Sequence, residues 1–112
     1  MNIVIIDNEP AIIDTLSAML AEDCPDVNIL ATADSMVKGV SLLQTLRQVD
    51  VLFLDVELGD GTGMELLEQL EQRPFQVVFI TAHEKYALNA FRFSAIDFLL
   101  KPFDPDEVVA AV

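Results

Sequence analysis

The chain has 112 residues, enough for one domain spanning 1–112 around one core. Apolar residues make up 53% and the mean hydropathy is positive, which excludes a disordered chain, while no apolar run is long enough to cross a membrane and the N-terminus does not read as a signal peptide. A formal net charge of −13 with only six Lys and Arg excludes nucleic-acid or anionic-lipid binding by this chain but favours divalent cations wherever carboxylates converge.

Ile3-Val4-Ile5-Ile6 is a buried-strand run that ends at Asp7-Asn8-Glu9-Pro10. Asn8 suits the N-cap of a following helix, with Glu9 and Pro10 in its first turn. Ile12, Ile13, Leu16, Met19 and Leu20 recur at helical spacing until Cys24-Pro25-Asp26 breaks the pattern. Cys24 is the single cysteine, so no internal disulfide forms, which fits a reducing cytoplasm; the flanking acids oppose a reactive thiolate. Val27 to Thr32 reads as a second strand whose partial alternation suits a sheet edge. Asp34 or Ser35 can cap a second helix carrying Met36, Val37, Val40, Leu43 and Leu46, interrupted by Gly39 at about 1 kcal/mol relative to Ala.

Val51 to Leu54 is a third strand, apolar on both faces, and Asp55 follows at its C-terminal edge. Glycines at 59, 61 and 63 then lead into a third helix with Met64, Leu66, Leu67 and Leu70, which ends before Pro74. Phe75 to Ile80 is the fourth strand, stopping at Thr81-Ala82-His83. A fourth helix is expected over Lys85 to Phe93 and a fifth strand over Ala95 to Leu100, running into Lys101-Pro102-Phe103. Asp104 can cap a short last helix with Val108, Val109 and Val112; its shortness suggests a longer natural protein.

Strands alternating with helices predict an α/β fold: a doubly wound, parallel five-stranded sheet in the flavodoxin-like order 2-1-3-4-5. That order brings the ends of strands one and three together, and with them Asp7 and Asp55. Two carboxylates held about 4 Å apart repel by about 4 kcal/mol at an effective dielectric of about 20. Mg²⁺ would neutralise such a pair, Lys101 would supply a second counter-charge, and Thr81 offers a hydroxyl to a phosphoryl oxygen. Singly, each residue has an ordinary alternative: Asp7 and Asp55 as capping acids, Thr81 as a strand terminator, Lys101 as a solvated side chain. Together, at one edge of one sheet, they form a candidate site.

The segments Ile5-Ile6-Asp7-Asn8-Glu9-Pro10, Leu54-Asp55, Gly63, Thr81-Ala82 and Lys101-Pro102-Phe103 resemble the receiver domain of two-component response regulators over nearly the whole chain. Tyr86 to Phe91, with Ala95 to Phe103, resembles receivers joined to a LytTR-type DNA-binding domain. The resemblance implies a phosphorylation-activated signalling switch, not an enzyme beyond its own phosphorylation and dephosphorylation. Asp55 would take a phosphoryl group from a partner sensor histidine kinase. Asp7, Asn8, Asp55 and the Glu57 backbone carbonyl would hold Mg²⁺. Thr81 and Lys101 would contact the phosphoryl group, Phe98 would change rotamer with Thr81, and Pro102 would follow a cis peptide bond. Partners implied are a homodimer through the fourth helix, fifth strand and last helix, and a C-terminal DNA-binding domain outside this chain.

Asn8 departs from the family pattern, which has a second acid there. One reading is a phosphorylation-competent receiver with lowered metal affinity; the other is a degenerate receiver that binds proteins without phosphorylation. A haloacid-dehalogenase-like phosphatase would want Asp where Glu57 stands, and an FMN-binding flavodoxin would want a hydroxyl-rich loop where Asp7-Asn8-Glu9 stands. His83 could approach the site from its loop, or simply be solvated.

Overall fold

The structure is a computed structural model and describes residues 1–82 and 97–112. Its elements are β1 (Asn2–Ile6), α1 (Pro10–Asp23), β2 (Asn28–Ala33), α2 (Met36–Thr45), β3 (Val51–Asp55), α3 (Gly63–Glu68), β4 (Gln76–Thr81), β5 (Asp97–Leu100) and a C-terminal helix (Pro105–Ala111). All strand pairings are parallel, and the order is β2-β1-β3-β4-β5, the order expected from the sequence. Among the described residues no helix is long and apolar enough to cross a membrane.

The strands are apolar at successive positions because both faces of the sheet are covered. Val4, Ile6, Leu52, Leu54, Val77 and Phe79 pack in one buried cluster with Val40 and Leu43 of α2 and Leu66 and Leu67 of α3. Their strand neighbours Ile3, Ile5, Val51, Phe53, Val78 and Ile80 pack in the opposite cluster with Leu16 and Leu20 of α1 and Val108 of the C-terminal helix. Alternation of side chains across a strand assigns neighbours to opposite layers. Fully burying one such side chain contributes about 1.5–3 kcal/mol.

Several boundaries differ from the sequence reading. β2 begins and ends one residue later, on the sheet edge. Asn8 does not cap α1: Glu9 occupies the N-cap position without a side-chain cap, and its own N–H donates to Asp7 Oδ1 at 2.8 Å. Ser35, rather than Asp34, caps α2 by accepting from the Lys38 N–H at 3.2 Å, while Asp34 pairs with Lys38 at 3.0 Å. α3 starts after Thr62, which accepts from the Glu65 N–H at 3.1 Å, and ends at Glu68, before the expected Leu70. The capping-box spacing Thr62-Gly63-Met64-Glu65 carries that signal. β4 includes Thr81 as its last residue. Asp104 and Glu107 form a reciprocal capping box on the C-terminal helix. The expected fourth helix, with Tyr86, Phe91 and Phe93, lies outside the described residues, as do His83, Ala95 and Ile96.

Gly39 does more than weaken α2. A Cβ there would come within 2.9 Å of Ile6 Cδ1 and of Leu66 Cδ1, so the missing side chain lets α2 lie close over the sheet and α3.

Candidate phosphoacceptor site

Strand register assembles the site. Ile6 pairs with Leu54, so the next residues, Asp7 and Asp55, leave the sheet side by side. Both share strand parity with the α1-side core, through Ile3 and Ile5 in one strand and Val51 and Phe53 in the other. Asp55 pairs with Ile80, and Thr81 pairs with Leu100, which places Lys101 one step further along the same rim. Backbone bonds extend the ladder past the strand ends: Asp7 N–H to Ala33 O at 3.1 Å, Val56 N–H to Ile80 O at 3.0 Å and Lys101 N–H to Thr81 O at 2.8 Å. The carboxylates therefore stand on backbone that is hydrogen-bonded into the sheet.

Asp7, Asp55 and Thr81 are the buried polar residues among those described. Lys101 Nζ lies 3.0 Å from Asp7 Oδ2, 3.1 Å from Glu9 Oε1 and 3.5 Å from Asp55 Oδ2. The contact to Asp7 is an ion pair, and Asp7 Oδ2, fully buried, has the Lys101 ammonium as its close partner. Asp55 Oδ1 accepts from the Glu57 N–H at 3.1 Å. Burial, reinforced by the neighbouring Asp7 charge, pushes the Asp55 carboxyl up to about 7 against the pull of Lys101 and the Glu57 N–H. Burial opposes the Lys101 charge, yet Asp7, Asp55 and Glu9 more than offset it and hold its pKa above the usual lysine value.

The loop after β3 is fixed at both ends. Leu58 N–H reaches Gly61 O at 2.9 Å and Gly63 N–H reaches Val56 O at 2.8 Å, while Gly59 takes a φ of +82°. Asp60 reaches across to α2, accepting from the Met36 N–H at 2.8 Å and the Val37 N–H at 3.1 Å. Those bonds lower the Asp60 pKa. A Cβ on Gly63 would sit 2.5 Å from the Asp55 carbonyl oxygen, so only glycine lets α3 start so close to Asp55.

A cleft lined by Asn8, Glu9, Asp55, Glu57, Thr81, Ala82 and Lys101 opens over these groups. A larger hollow, between the α2–β3 and α3–β4 connections, lies at the opposite end of the strands, away from the carboxylates. The expected residues Asp7, Asn8, Asp55, Glu57, Thr81 and Lys101 thus meet at one rim. The Lys101–Pro102 peptide is cis, as the resemblance implies. Phe98 is half-buried against the α2/α3-side core, paired with Phe79, on the face whose strand parity Thr81 shares. Glu9, Asp60 and Thr62 are the additions that the sequence reading assigned no role at the site.

The oxygens of Asp7, Asp55 and the Glu57 carbonyl suit a hard cation, a set that the Asn8 amide can join only with its oxygen turned inward, and Asp7 Oδ2 is a buried oxygen whose close partner is the Lys101 ammonium. Among the described residues no three His, Cys, Asp or Glu side chains form a ready metal cage, so two carboxylates, neutral oxygens and water must suffice.

The chain is 35% identical to the sensory transduction protein LytT of Enterococcus faecalis, across all of this chain and 46% of that protein. It is 38% identical to the transcriptional regulatory protein BtsR of Escherichia coli K12, across 93% of this chain and 43% of that one. The chain therefore spans less than half the length of these curated relatives. The response regulatory domain of protein mrkE from Klebsiella pneumoniae superposes with a TM-score of 0.86 at 27% identity, covering 99% of this chain and 91% of that one. These relatives agree with the likeness to receivers of LytTR-type regulators. The response regulator receiver domain model matches residues 3–112, and with the β2-β1-β3-β4-β5 sheet and its acidic rim this chain belongs to that family.

Proposed function

We propose that this receiver is a phosphorylation-activated switch in which Asp55 accepts a phosphoryl group from the phosphohistidine of a sensor kinase. The observation that supports this most is Lys101 Nζ standing within 3.5 Å of both Asp7 and Asp55 on a rim shared with Thr81. Asp55 Oδ2 would attack phosphorus in line; the phosphorus–nitrogen bond breaks, the imidazole nitrogen keeps its electron pair, and an oxygen–phosphorus bond to Asp55 forms. Lys101 and the Thr81 hydroxyl then face the phosphoryl oxygens, in a reaction that depends on placement and charge more than on covalent help. Asp7, Asp55, the Asn8 amide oxygen and the Glu57 carbonyl would hold Mg²⁺, which when bound supplies positive charge to those oxygens.

The product adds about two negative charges at the rim. Lys101 would leave Glu9 for the phosphoryl group, and Thr81 would turn toward it, freeing space on the face that Phe98 occupies. That couples the rim to β5, and homodimerisation and output would use β5 and the C-terminal helix together with the expected fourth helix, which lies outside the described residues. The likeness to the transcriptional regulatory protein BtsR supports an attached DNA-binding module, and such a role would set the chain in the cytoplasm. The degenerate-receiver reading draws on Asn8, which brings no charge to the metal side of the cleft.

Intact mass after incubation with acetyl phosphate and Mg²⁺ tests the proposal. One added phosphoryl group in wild type and none in Asp55→Asn is expected. No addition in wild type would favour the phosphorylation-independent reading.

A further inference from the structure

Asn8 stands beside the oxygens that would hold the cation, and its amide is assigned with nitrogen rather than oxygen facing them. Its amide orientation follows from its neighbours, which are both acceptors. With nitrogen turned inward, it donates to Asp55 Oδ2 at 2.9 Å and to the Glu57 carbonyl oxygen at 3.3 Å. The reverse orientation would set the amide oxygen against a carboxylate and a carbonyl. Two of the oxygens in the proposed cation set are therefore already bridged by a side chain of this protein. The Lys101 ammonium serves the other side, on Asp7, Glu9 and Asp55.

We propose that Asn8 is a latch on the cation site: its N–H₂ group closes Asp55 to the Glu57 carbonyl, and a divalent cation enters only when the amide swings away or turns its oxygen inward. The inference rests on the cation-dependent phosphoacceptor reading above and concerns affinity within it. An acid at position 8 could not act this way, since it would add a third carboxylate to the Asp7–Asp55 pair and leave the empty site repelling itself. Asparagine satisfies the resting site and makes the cation compete with an internal donor. The amide oxygen it can offer after turning is a small return, because Mg²⁺ readily keeps water in its coordination shell.

A latch and a merely neutral ligand respond oppositely to removal of the side chain. Asn8→Ala removes the donor and the amide oxygen together. If Asn8 serves chiefly as a ligand, the variant binds Mg²⁺ more weakly than wild type. If it is a latch, the variant binds more tightly, by about threefold to tenfold, the scale of one or two net hydrogen bonds. Asn8 is exposed at its loop position, so neither substitution disturbs the core.

The test is isothermal titration of Mg²⁺ into wild type, Asn8→Ala and Asn8→Asp at fixed pH and ionic strength, with thermal melts in chelator to compare the empty forms. The expected affinity order is Asn8→Asp, then Asn8→Ala, then wild type. In chelator, Asn8→Asp is expected to melt lowest. Equal or weaker binding by Asn8→Ala, with Asn8→Asp still binding, overturns the latch and leaves the phosphoacceptor reading standing. Absence of binding by all three up to tens of millimolar removes the cation site itself, and the latch with it.

Discussion

Asp55 is a carboxyl buried beside another carboxyl, and it carries a stability signature that a solvated loop acid lacks. Its pKa rises from 3.8 to about 7 on folding, so the folded state holds its proton more tightly than the unfolded chain. The sign follows from linkage: its contribution is fully present below about pH 4 and is lost as pH rises through about 7. Asp55→Asn is therefore expected to melt higher than wild type near pH 8, with the difference shrinking as pH falls toward 5. Melting curves of the two proteins across that range check it, and a gap independent of pH would count against a strained carboxyl pair. Asp7, Asp55, Thr81 and Lys101 are legible in the sequence because each directly follows or ends an apolar strand run. Glu9 is not, since its role depends on Lys101, 92 residues away. The direction of the Asn8 amide is equally invisible, because it is set by a carbonyl and a carboxylate from another strand.

At the scale of elements, the β3–α3 connection is the part that must be built most tightly. Gly63→Ala would drive a methyl group against the Asp55 carbonyl, which is backbone and has no rotamer to yield. A loss of about 1–3 kcal/mol is expected, measured by urea denaturation, together with slower phosphorylation as Asp55 is displaced. A neutral result would mean that α3 moves freely relative to β3. Asp60→Ala strips two N–H bonds from the start of α2. It is expected to lower the melting temperature above about pH 5 and to have little effect in stronger acid, where the native carboxylate becomes protonated. The strands are readable because both faces are buried and their runs are continuous. α3 is harder to bound, since its start depends on the Thr62 cap and its end on Leu70, which is buried beyond the last helical residue.

For the whole molecule, the formal charge of −13 dominates behaviour outside the site. Self-repulsion of this size weakens the compact state and is screened within about 10 Å at about 0.1 M salt. Raising NaCl from about 0.02 to 0.3 M is expected to raise the melting temperature; an unchanged or falling value would contradict net repulsion. The parallel sheet was accessible from strand–helix alternation, because parallel strands need a crossover between them, and the order 2-1-3-4-5 from five strands in a chain too short for a closed barrel. Cation occupancy was not, because it depends on the hydrogen bonds that the empty rim makes with itself.

The central claim is that Asp55 forms an acyl phosphate. Borohydride treatment of the protein after acetyl phosphate and Mg²⁺, followed by peptide mass mapping, tests this most directly, since hydride converts an aspartyl phosphate to homoserine. Conversion confined to position 55 is the expected result. Conversion at Asp7 or another acid, or at none, would contradict it.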